Sequence, residues 1–214
     1  MAEPNLVKLK HPALVELLQR AYSAEKAAAF AYIGYAKSLK DPAAKVAVKQ
    51  IEDDEWDHRR NVLAIMQQYD IPISRFYEVK FHVIGRFISA SCHVIGWFMP
   101  YFFAGKLESG NVCEYFVMMK YFHALGIREH DQILYEMGIK EKEHEVHFLA
   151  QIKHSRWLPY FERSFPGASK PARTTWTSKI NCPSKLPASI VKPSRPTRSK
   201  PRIVKLKTIV KRLR

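Results

Sequence analysis

The chain has 214 residues, 47% of them apolar, and a formal net charge of +15. That is room for one ordinary domain and an appendage. The charge is not spread evenly: residues 153–214 hold 17 of the 35 Lys and Arg, one acid (Glu162) and 8 of the 13 prolines, so they carry +16 and residues 1–152 carry −1. Such a tail has too little apolar surface to offset the entropy of ordering it, so disorder is expected from about residue 166. It reads either as a solubilising tail or as an arm for an anionic partner, a nucleic acid or an acidic lipid surface. Cys92, Cys113 and Cys182 match no zinc or disulfide spacing, and MAEPNLVKLKHP has no apolar stretch of signal-peptide length. A reducing, cytoplasmic setting is the expectation.

Four segments carry helical periodicity. Asn5 to Lys40 aligns Leu14, Leu18, Ala21, Glu25, Ala28, Tyr32 and Ala36. Asp41-Pro42 opens the second helix, with Asp as N-cap and Pro at the first helical position. Its stripe is Val48, Ile51, Glu55, His58, Val62 and Ile65, ending before Ile71-Pro72. The third is expected from about Leu107 to Leu125, with Leu107, Gly110, Glu114, Val117 and Tyr121 in phase and Gly126 as terminator. The fourth, about Arg128 to His154, aligns Leu134, Met137, Glu141, His144 and Phe148. The steps are three or four residues throughout, as in amphipathic helices.

Six polar residues thus fall in phase with apolar stripes: Glu25, Glu55, His58, Glu114, Glu141 and His144. Burying a carboxylate costs several kcal/mol unless it is paired or bound to a cation. Glu-x-x-His places an oxygen and a nitrogen donor on one helix face. Roughly half a match is expected by chance in a chain of this composition, but this one has two, at Glu55/His58 and Glu141/His144. Each follows a lone in-phase Glu. That pattern is expected of a dinuclear carboxylate site inside an all-α four-helix bundle. Mixed carboxylate and imidazole donors suit two iron ions, with manganese the alternative. The competing reading is salt-bridging residues on solvated faces. Asp54, four residues before His58, reads either as a hydrogen-bond partner of that ring's free nitrogen or as a solvated acid. His147 reads as an ordinary helix histidine rather than a spare ligand, and Tyr32, Tyr115 and Tyr121 as core aromatics near the site.

Residues 71–106 separate the two helix pairs. Phe87 to Gly105 contains no Lys, Arg, Asp or Glu, close to the length of a membrane span. A single span would put half of the candidate ligands on each side of the bilayer, so it is excluded. Two readings survive. One is a buried crossover helix. The other is an interfacial segment that inserts Trp97, Phe98, Tyr101, Phe102 and Phe103, with Arg86 and Lys106 at the headgroups. The expected division is therefore a bundle over 1–155 and a basic tail over 156–214.

The blocks AYSAEKAAAFAYIGY, IEDDEWDHRRNV, CHVIGWF, GKLESGNVCEY and EKEHEVHF, within about residues 12–155, resemble the ferritin-like di-iron proteins. More narrowly, they resemble the demethoxyubiquinone hydroxylase family. The resemblance implies a ferritin-like fold, two irons held by the six residues above with Glu55 and Glu114 bridging, and dioxygen-dependent hydroxylation of a quinone-precursor ring at a membrane surface. An external reductant is implied as well. One departure lies in the fourth helix, where Glu141, Glu143 and Glu145 crowd His144 and phase selects Glu141. The basic tail is not a feature of that family.

Three functions compete at this level. The first is a di-iron monooxygenase acting on an apolar small molecule. The second is iron oxidation or peroxide scavenging of the ferritin or rubrerythrin type; the absence of two Cys-x-x-Cys pairs argues only against a complete rubrerythrin. The third is a bundle, single or homo-oligomeric, tethered by its tail to an anionic surface or nucleic acid.

Overall fold

A computed structural model describes residue 9 and residues 11–165. Residues 166–214, on which the expected disorder falls, lie outside the described residues. Among the described residues the protein is all-α, with six helices: α1 (Pro12–Ser38), α2 (Pro42–Gln68), α3 (Arg75–Ser91), α4 (Phe98–Ala124), α5 (Asp131–Ile152) and α6 (Leu158–Ser164).

The helix ends follow local chemistry. His11 caps α1 through Nδ1, which accepts from the Leu14 amide at 3.1 Å, and Pro12 follows as the first helical residue. Asp41 caps α2 by accepting from the Ala43 and Ala44 amides, with Pro42 at the first position as expected. Helix α4 stops at Gly126, whose φ of 76° lets the Ile127 amide reach back to the Phe122 carbonyl at 2.9 Å. Asp70 plays the same part after α2, with φ 53° and an Ile71-to-Met66 bond of 2.9 Å. Asp tolerates that left-handed backbone better than most residues.

Helix α1 packs along α2 and along α3, and α4 along α5; contacts between these two sets are sparser. Buried side chains form two apolar layers. At one end Tyr32, Tyr35, Val48, Ile51, Phe98, Tyr101, Phe102, Phe148 and Ile152 make a single cluster spanning α1, α2, α4 and α5. Toward the other end the buried residues are Leu14 and Leu18, Val62, Ile65 and Met66, Met118, Met119 and Phe122, and Leu134 and Met137. The polar residues that the sequence places on apolar stripes fall between these layers.

Three expectations change. First, the apolar stretch 87–105 is not one continuous crossover helix. Its first residues close α3, Cys92–Trp97 turn, and Phe98 onward begin α4, nine residues earlier than expected. Phe98, Tyr101 and Phe102 are core residues, and only Trp97 of the proposed inserting side chains is more than half exposed. Second, α4 is rotated from its expected phase. Leu107 and Gly110 are exposed, whereas Phe98, Tyr101, Phe102, Gly105, Glu108, Tyr115, Met118 and Phe122 face inward. Third, the packed body continues past residue 155: Phe161 of α6 lies 5.1 Å from Phe98 and 5.5 Å from Phe102, ring centre to ring centre.

Helix α3 links the two pairs and lies close on α1. A Cβ at Gly85 would sit 2.7 Å from the Ala27 Cα, so only glycine permits that approach. One ionic anchor fixes α3: Glu78 takes two bonds from Arg59 at 3.0 and 3.1 Å, one from Lys26 at 3.0 Å and one from Ser23 at 2.9 Å. Its opposite face is apolar and exposed, with Phe76, Val79, Val83 and Phe87 at helical spacing.

Candidate metal centre

Five of the six residues expected as ligands converge. Glu25 comes from α1, Glu55 and His58 from α2, and Glu141 and His144 from α5, and all five are buried. Glu114 does not join them. Its Oε1 takes a 2.6 Å bond from Arg20 Nη2, and its side chain is 31% exposed. Glu108, 1% exposed, occupies the place expected of it. Six residues on a helix are about 120° apart in azimuth, so the two glutamates cannot share a face. Glu108 could have been found by carrying the phase of Phe98, Phe102 and Gly105 forward from the apolar stretch.

The donors form two overlapping groups: Glu25, Glu55, His58 and Glu141, and Glu55, Glu108, Glu141 and His144. Within each group one ligand atom from every residue lies within 4.8 Å of the others. Glu55 and Glu141 belong to both, so they are the bridging pair the geometry offers, in place of Glu55 and Glu114. Glu143 and Glu145, the competitors of Glu141, instead pair with Lys140 and Lys142 on their own helix.

The unsatisfied atoms carry the argument for a cation. Glu25 Oε2, both Glu55 oxygens, His58 Nδ1, Glu141 Oε1 and His144 Nδ1 are buried without a hydrogen-bond partner among the described residues. His58 Nδ1 lies 2.9 Å from Glu141 Oε1, and His144 Nδ1 lies 3.4 Å from Glu55 Oε1, but neither pair is aligned for a hydrogen bond. The ligand atoms of these residues crowd one another instead of meeting donors. Orphaned buried groups of this kind are rare in native proteins, and each costs about 1–3 kcal/mol. The donor set also fits in charge, since four carboxylates balance two divalent cations. These buried Glu and His groups can hold metal.

The surroundings fix the donors. His144 Nε2 meets Asp54 Oδ2 at 3.0 Å, which makes Nε2 the protonated nitrogen and turns the Nδ1 lone pair inward. The expected partner of Asp54 was His58, on its own helix; the ring it reaches belongs to α5. Tyr115 Oη donates to Glu25 Oε1, and Tyr32 Oη donates to Glu108 Oε1. Asn111 Nδ2 donates to Glu108 Oε2 at 3.1 Å and reaches Glu141 Oε2 at 3.4 Å. Tyr121 packs at a tilt against His11, and His147 packs against Phe148.

Proton placement reflects the crowding of acids. Burial, reinforced by the Glu141 charge, pushes Glu25, Glu55 and Glu108 above the ordinary carboxylate range. Burial raises Glu141 too, but the Glu108 carboxyl and the His58 ring beside it outweigh that and hold the carboxyl low. Burial lowers His58, yet the Glu141 carboxylate beside it brings the net shift upward. His144 is lowered by burial. Without an ion the cluster therefore stores protons, and a cation entering it displaces them.

Compared with known proteins, the chain matches no family model, no curated protein and no solved structure.

Proposed function

We propose that this protein is a di-iron monooxygenase of ferritin-like four-helix architecture, with α3 as the crossover. It uses dioxygen to hydroxylate an apolar, quinone-precursor-like molecule at a membrane surface. The observation that carries this reading is the pair of overlapping donor groups sharing Glu55 and Glu141. Glu25 and His58 would complete one iron site, and Glu108 and His144 the other. Oxygen and imidazole donors without thiolate suit iron, with manganese as the alternative. When bound, the ions supply Lewis acidity and two-electron dioxygen chemistry.

The chain's own residues supply the rest. The apolar layers on either side exclude water, which strengthens every charge interaction inside. Asp54 orients His144, and Asn111 spans Glu108 and Glu141. No described helix is long and apolar enough to cross a membrane. The surface reading rests instead on α3, whose Phe76, Val79, Val83 and Phe87 are each more than 60% exposed and are flanked by Arg75, Lys80 and Arg86.

The test is native metal content followed by turnover. Two irons per chain and oxygen-dependent formation of a hydroxylated quinone precursor are expected, both lost in Glu55→Ala and His144→Ala. Iron-loaded protein that consumes peroxide and yields no organic product would replace this reading with a scavenging one.

A further inference from the structure

The two halves of the centre repeat each other. Glu25 is followed by Tyr32 and Glu108 by Tyr115, each tyrosine seven residues on and thus two turns along the same face. Each phenol reaches across to the other helix: Tyr32 donates to Glu108 and Tyr115 to Glu25. All four side chains are at most 4% exposed. Glu25 and Glu108 are also the two carboxylates that belong to one donor group only. They are the end ligands of the reading above, on which this inference rests.

A carboxylate meets a cation through one oxygen or through both. A phenol proton on one oxygen engages a lone pair there and opposes the rotation that would bring both onto the ion. We propose that Tyr32 and Tyr115 are positioning residues that hold Glu108 and Glu25 in one-oxygen ligation, so that each ion keeps a coordination position free for dioxygen. The two clasps differ in strength. Among the described residues Glu25 has only Tyr115, and its Oε2 is a buried atom without a partner there. Glu108 is held at both oxygens, by Tyr32 and by Asn111 at 3.1 Å. Removing one phenol is therefore enough to release Glu25, whereas Glu108 is released only when Tyr32 and Asn111 are both lost.

The experiment uses the full chain, stripped of metal and titrated with Co(II) without oxygen. Ligand-field bands of Co(II) weaken when coordination rises toward six, because a near-centrosymmetric field suppresses them. Wild type is expected to bind two Co(II) with the stronger bands of four or five ligands. In Tyr115→Phe the stoichiometry should stay at two while band intensity per cobalt falls several-fold at one site. Tyr32→Phe should keep the wild-type spectrum, and Tyr32→Phe/Asn111→Ala should lose intensity as Tyr115→Phe does. A merely structural role for the tyrosines would lower thermal stability without this pattern.

A wild-type spectrum in Tyr115→Phe at two cobalts per chain overturns the proposal and leaves the metal site standing. Wild type that binds no cobalt removes both. Equal loss of intensity in the two single variants also overturns it, since Asn111 would then hold nothing. Should Tyr115→Phe misfold, the Tyr32/Asn111 pair carries the same test in the other half.

Discussion

Glu55→Gln is expected to separate stability from metal binding with opposite signs. Glu55 is fully buried, and neither of its oxygens has a hydrogen-bond partner. The amide of Gln keeps the volume and brings two donors within reach of His144 Nδ1, which lies 3.4 Å from Glu55 Oε1. Satisfying one or two orphaned groups is worth about 1–3 kcal/mol. For a domain of this size that raises the melting temperature of metal-free protein by about 3–10 °C. Loaded wild type behaves oppositely: an ion at a thousandfold excess over its Kd adds about 4 kcal/mol, and the variant has lost a donor that both ions share. Thermal unfolding with chelator and with Fe(II) under anaerobic conditions should therefore rank the two proteins in reversed order. If the chelated variant melts below wild type, the unsatisfied oxygens are not a cost, and the physical case for a cation at this position is wrong.

Glu108→Ala should lower bound iron from two toward one per chain, while Glu114→Ala keeps two and loses under about 1 kcal/mol, because its bond to Arg20 is partly exposed; elemental analysis after desalting distinguishes them. Glu78 gives a pH signature. Burial pushes its carboxyl up, but Arg59, Lys26 and Ser23 outweigh that and lower it from 4.5 to about 2. Its contribution is full above about pH 4.5 and is lost as pH falls toward 2. With a side chain only 20% exposed, wild type should exceed Glu78→Gln by about 2–3 kcal/mol in urea unfolding at pH 7, a gap that closes near pH 2. Replacing Phe76 and Phe87 together by Ala should weaken binding to anionic vesicles about tenfold or more, since each buried phenyl is worth about 1.5–3 kcal/mol; unchanged co-sedimentation would remove the α3 face from the membrane reading.

Much of this arrangement was legible in the residues, and the exceptions share a cause. Helices α1, α2 and α5 contrast polar and apolar faces, so the phase of Glu25, Glu55, His58, Glu141 and His144 could be read directly. Helix α4 is apolar on nearly every side in its first turns, and a stripe without contrast has no readable phase. One residue of misphasing turns a helix by about 100°, enough to select Glu114 over Glu108. Asp54 shows a second limit. Spacing within one helix brings it near His58, but the ring it holds is supplied by a neighbour that sequence distance does not reveal. Helix α6 is only seven residues long, too short for periodicity to announce it.

The turn Cys92–Trp97 divides the six donors evenly: Glu25, Glu55 and His58 precede it, and Glu108, Glu141 and His144 follow. Each of the two donor groups draws residues from both sides of that turn. On the metal reading proposed above, an ion bound at either position would therefore fasten the segment before the turn to the segment after it.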